Sequence, residues 1–85
     1  MTRKPKQTRA ITTVNAIIEA GFIAVADAGS RPVTTRQIAD IAGISVGSLY
    51  EYFKNKEAIY DAMAEKFMTD VILMIQPVLP TLARL

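Results

Sequence analysis

Two helix starts and one helix stop lie close together between positions 34 and 56, in TTRQIADIAGISVGSLYEYFKNK, and they constrain this chain more than any other feature. Thr34 followed by Gln37 is a capping box: the hydroxyl accepts an otherwise orphaned backbone N–H, and the amide reaches back to the cap. Ile38, Ile41 and Ala42 then fall on one helical stripe. Gly43 is the stop, because glycine tolerates the left-handed conformation needed where the chain reverses. Ile44 is expected to drop into the core, and Ser45 to cap a second helix that turns Leu49 and Phe53 inward. The pattern predicts helices over 34–42 and 45–53 joined by a tight turn. Ala39, four residues before Gly43, is small enough to let the two helices pass closely.

The outer face of the second helix carries the functional signal. Its first turn is slim: Ser45, Val46, Gly47 and Ser48. A helix made only to meet solvent would avoid glycine, which costs about 0.8–1 kcal/mol against alanine. A helix that enters a DNA groove gains from a thin N-terminal turn, whose N–H groups and dipole favour a phosphate. Tyr50 and Tyr52 supply hydroxyls for phosphate oxygens, and Lys56 supplies charge.

Thr35-x-x-x-Ala39-x-x-x-Gly43-Ile44-Ser45-x-Gly47-Ser48-Leu49-Tyr50-x-Tyr52-Phe53-x-Asn55-Lys56-Glu57 resembles the DNA-binding signature of the TetR family of bacterial transcriptional regulators. The match is dense and without gaps, and extends more loosely over residues 9–75. The resemblance implies an all-α fold: a three-helix, homeodomain-like helix-turn-helix domain followed by a long fourth helix. It also implies a sequence-specific regulator, a repressor in the usual case, that binds double-stranded DNA at a palindromic operator as a homodimer. Release by a small-molecule effector in a C-terminal domain is the family's mechanism. The positions that the family uses against DNA are held here by Thr35, Arg36, Val46, Gly47, Ser48, Tyr50, Tyr52 and Lys56. From the residues themselves, Thr34 and Ser45 join them as caps at the same surface. Thr34, Thr35 and Arg36 would hold the backbone, with Arg36 also able to reach a guanine. Val46 can touch a thymine methyl, and Ser48 can bond to several bases.

The flanking segments read as follows. Residues 1–8 are polar and basic, interrupted by Pro5, and are expected to form a mobile arm. Arg3, Lys4 and Lys6 there either follow the duplex or merely aid solubility. Residues 9–28 predict a bracing helix capped by Thr8, with a core stripe of Ile11, Val14, Ile18, Phe22 and Val25 widened by Ile17 and Gly21. Gly29 ends it, and Ser30, Arg31 and Pro32 turn the chain. Residues 55–76 predict a long helix capped by Asn55, with Tyr60, Met63, Phe67, Val71 and Met74 inward. Val71, Ile72, Leu73, Met74 and Ile75 are apolar on every side, which asks for cover from a partner chain or a further domain. Residues 77–85 are expected to be the stub of that domain.

Charge and composition narrow the alternatives. Residues 1–56 hold eight cationic and four acidic side chains, residues 57–85 two and four, so the positive half coincides with the helix-turn-helix. With no cysteine and no histidine, disulfides, Cys/His zinc sites and histidine acid–base catalysis are excluded. No activating base for a serine nucleophile and no Walker loop appear, so an enzyme is not expected, and no cofactor or metal is implied. No signal peptide or run of roughly 20 apolar residues is evident, which points to the cytoplasm and away from the membrane. A protein–protein module using the apolar end is the rival class.

Overall fold

The computed structural model describes residues 5–85, and they are helical nearly throughout. Helix α1 spans Pro5–Ala28, α2 Thr35–Ala42, α3 Val46–Tyr52 and α4 Lys56–Ile75. A 3₁₀ turn, Gln76–Val78, leads into a short α5, Leu79–Ala83. The all-α, three-helix arrangement with a long fourth helix is as expected.

Local chemistry sets these boundaries. Gln37 N–H donates to Thr34 Oγ1 at 3.1 Å and Thr34 N–H to Gln37 Oε1 at 2.9 Å, so the capping box is complete. Gly43 stands at φ 79°, and the N–H groups of Gly43 and Ile44 return to the carbonyls of Asp40 and Ala39 in a Schellman closure. Ser45 caps α3 by accepting from Ser48 N–H at 3.0 Å, and Asn55 caps α4 by accepting from Ala58 N–H at 2.8 Å. Arg31 closes α1, its guanidinium donating to the carbonyls of Ala28 and Asp27.

The start of α1 differs from expectation. Its backbone is helical from Pro5, since proline fits a first helical turn. Thr8 is therefore inside the helix rather than its cap, and its carbonyl accepts the Thr12 hydroxyl at 2.9 Å. Arg3 and Lys4 of the expected arm lie outside the described residues.

The core sits where α1 meets α2 and α4, with α3 clasped against α2. Ile17, Ile38, Leu49 and Ile59 are fully buried, and each such side chain contributes about 1.5–3 kcal/mol by leaving water. The buried face of α1 is rotated from the expected stripe: Ile17, Ile18, Ala20, Gly21, Ala24 and Ala28 are inside, while Ile11, Phe22 and Val25 are exposed. Close approach is the reason. A Cβ on Gly21 would meet the Sδ of Met63 at 2.5 Å, so α1 and α4 touch nearly backbone to side chain. A side chain at Gly21 would require Met63 to move, while Ile17 and Ile18 are accommodated on the same face and Ile11, Phe22 and Val25 turn outward.

Three further expectations are corrected. Ile41, placed on the inner stripe of α2, is exposed, whereas Ala39 is buried as its small size implied. In α4 the inward residues are Ile59 and Met63, with Tyr60 only half-buried and Phe67 and Met74 exposed. By length and composition, Gln7–Ala28 and Lys56–Ala83 are both apolar enough to cross a bilayer, contrary to the sequence expectation. In α1 part of that apolarity, Ile17, Ile18, Ala20, Ala24 and Ala28, serves the core; beyond Thr69 the α4–α5 segment leaves its apolar side chains exposed, Val71 being half-buried.

Candidate nucleic-acid interface

Of the sequence-derived site residues, Thr34, Thr35, Tyr50 and Lys56 share one cleft, while Ser45, Val46, Gly47 and Ser48 form the start of α3. The Schellman closure at Gly43 reverses the chain, so the start of α3 emerges with Ser45 as its cap. Gly47, the second residue of α3, is exposed, and a Cβ built there would find only Ser45 Oγ, at 3.8 Å. The slim turn inferred from sequence is therefore open to a visitor. Ser48 is half-buried beside it. The Ser45 hydroxyl donates to Ser48 Oγ at 3.0 Å, which leaves the Ser48 proton for an outside acceptor. Val46 is half-buried and packs on the core, so less of it remains for a thymine methyl than expected.

A shallow cleft is lined by Pro32, Val33, Thr34, Thr35, Tyr50, Lys54, Asn55, Lys56 and the acidic Glu57. It joins the start of α2, the middle of α3 and the start of α4. Thr35 Oγ1 and Tyr50 OH are 3.0 Å apart, a hydrogen bond between residues fifteen positions apart that couples α2 to α3. The Lys56 ammonium donates to the Val33 carbonyl at 2.9 Å, with the Tyr60 ring centroid 6.0 Å away. Lys56 is thus partly committed to tying α4 to the α1–α2 turn, and two of its three N–H donors remain. Thr34 and Arg36 are exposed at the first turn of α2, and Tyr52 is exposed at the end of α3.

Hydroxyls and two lysines outnumber the one carboxylate of the cleft, the exposed Glu57. Arg36 and Lys54 are both exposed, and the only ion pair among the described residues, Lys66–Asp70, is far along α4. Lys54 was not singled out from sequence, although it stands two residues before Lys56 in a Lys-Asn-Lys run. The arrangement offers neutral donors and mobile positive charge around an exposed helix start, which suits a phosphate backbone flanking a groove. Among the described residues there is no group of acidic side chains placed to hold a metal.

A family model described as "Bacterial regulatory proteins, tetR family" matches residues 12–63, which include the whole cleft and the turn of α3. The chain is 39% identical over 54 residues to the class C tetracycline repressor protein of Escherichia coli, covering 64% of this chain and 25% of that protein. It is 46% identical over 46 residues to the HTH-type transcriptional repressor KstR2 of Rhodococcus jostii, covering 54% and 22%. Against the KstR2 repressor of Mycolicibacterium smegmatis the identity is 41% over 56 residues, covering 66% and 27%. The chain thus spans about a quarter of the length of these curated relatives. No solved structure matches it.

Proposed function

Because the chain belongs to the TetR family of bacterial regulatory proteins, we propose that it is the DNA-reading part of a transcriptional repressor. The observation that carries this is the bare, exposed start of α3 at Gly47, on the same helix as Tyr50, which lines a cleft whose hydroxyls and two lysines outnumber its one carboxylate, Glu57. The first turn of α3 lies in the major groove, with Gly47 letting the backbone come near and Ser48 donating to a base acceptor. Thr34, Tyr50, Lys54 and Lys56 hold phosphates, with Thr35 bonded to the Tyr50 hydroxyl at the same edge, Ser45 shapes the turn, and Tyr52 contacts the flanking backbone. Arg36 is the side chain suited to a bidentate contact with guanine, worth about 1–3 kcal/mol of discrimination.

One such module carries few base contacts. We place two of them on a palindromic operator, about one helical turn (roughly 34–36 Å) or a multiple apart, in a homodimer. Dimerisation and release by a small-molecule effector are assigned to parts of the regulator beyond these residues. The exposed apolar side chains Phe67, Ile72, Leu73 and Met74 support cover by such a part. The protein works in the bacterial cytoplasm, where its DNA is, and performs no catalysis.

Selection from a randomised duplex pool tests this. A shared motif whose affinity falls steeply with salt is expected. Absence of enrichment, together with salt-insensitive capture of apolar protein surfaces, would favour the second reading, a docking module acting through the exposed end of α4.

A further inference from the structure

The bond between Thr35 and Tyr50 has a consequence for how the cleft meets DNA. Two hydroxyls 3.0 Å apart hold two protons, and the bond between them uses one. One proton is left to point outward. Thr35, at the start of α2, is half-buried, whereas Tyr50 on α3 is 47% exposed, so the outward partner is the phenol. Chemistry selects the same order. A phenol is a stronger donor than an aliphatic hydroxyl, and an anionic phosphate oxygen is the strongest acceptor available, so the phenol O–H goes to the phosphate. Thr35 then donates to the Tyr50 oxygen, and the chain of hydrogen bonds strengthens its outer member.

We propose that Thr35 is a positioning residue that acts through the Tyr50 hydroxyl, the pair delivering one proton to one phosphate rather than making two separate contacts. This rests on the DNA-binding function proposed above. The same bond fixes the outer edge of α3 to the first residue of α2, so the phosphate contact and the tilt of the reading helix are set together.

The test is a double-variant cycle with a fluorescein-labelled duplex of arbitrary sequence at low salt, since a phosphate contact needs no operator. Tyr50→Phe should weaken binding roughly tenfold or more, as loss of a hydrogen bond to a charged group does. Thr35→Val should weaken it several-fold in the native background and hardly at all in the Tyr50→Phe background. Thr35→Ser keeps the hydroxyl and should bind like the parent chain. None of the four should alter the dependence of log K on log[salt], because no cation is removed. If the double variant instead loses the product of the two single losses, each hydroxyl holds its own phosphate and the proposal is overturned; failure of Thr35→Ser to restore binding overturns it too. If the parent chain ignores the duplex at low salt, the DNA-binding function itself is wrong and the pair falls with it. Circular dichroism of each variant separates these outcomes from unfolding.

Discussion

Gly47→Ala separates what the fold wants at this position from what DNA wants. In the free chain the change is benign: the new Cβ finds only Ser45 Oγ at 3.8 Å, an ordinary contact, and Gly47 is not among the glycines with positive φ. Alanine then gains from its better helix propensity, about 0.5–1 kcal/mol. A shift of 1 kcal/mol moves the midpoint of a domain this size by about 4–8 °C, so a rise of roughly 2–8 °C is expected in thermal unfolding followed by circular dichroism. Against DNA the same methyl group sits where the backbone must come near the groove. Forcing an extra carbon into a packed contact costs about 1–3 kcal/mol, roughly five- to a hundredfold in affinity. Fluorescence anisotropy with a duplex taken from the selection reads this directly. A more stable variant that binds less well is the expected result. Undiminished binding would refute the thin-turn reasoning, and a lower melting point would refute the description of open space around Gly47.

Three other substitutions probe the frame of the site. Gly43→Ala forces a side chain into the left-handed region at φ 79° and should destabilise the chain by about 1–2 kcal/mol, read as a lower midpoint in urea. Thr34→Ala removes the capping box and should cost about 0.5–2 kcal/mol, with faster hydrogen exchange at the Gln37 amide. Lys56→Met removes the tie to the Val33 carbonyl and a phosphate-facing charge together, so both stability and the salt slope should fall, the slope by about 0.9; an unchanged slope would confine Lys56 to the tie.

Much of the local structure was legible in the sequence because local chemistry sets it. The Thr34–Gln37 box, the glycine stop at position 43 and the caps at Ser45 and Asn55 each need only neighbours three or four residues away. The faces of the long helices were less legible. Apolar size points to Phe22 and Val25 on α1, but the buried face carries Ile17, Ile18 and Gly21, the last against Met63 of α4, and Phe22 and Val25 turn out. In α4, Ile59 rather than Tyr60 takes the inner position, and Phe67 and Met74 are exposed, Phe67 although Thr69 and Asp70 beyond it still line a cleft with Val14 and Ile18 of α1. The site follows the same division. Gly47 and Ser48 announced themselves by being small on an outer face. The Thr35–Tyr50 bond and the grip of Lys56 on a backbone carbonyl depend on how separate helices dock, and a carbonyl acceptor leaves no trace in a string of side chains.

The most direct measurement is a backbone amide NMR titration of the chain with a duplex from the selection. If the slim turn of α3 enters the groove, the largest shifts fall on Thr35, Arg36, Gly47, Ser48 and Tyr50. Shifts concentrated on α5 and the end of α4, with Gly47 and Ser48 unmoved, would show that the duplex meets another surface and that α3 does not read it.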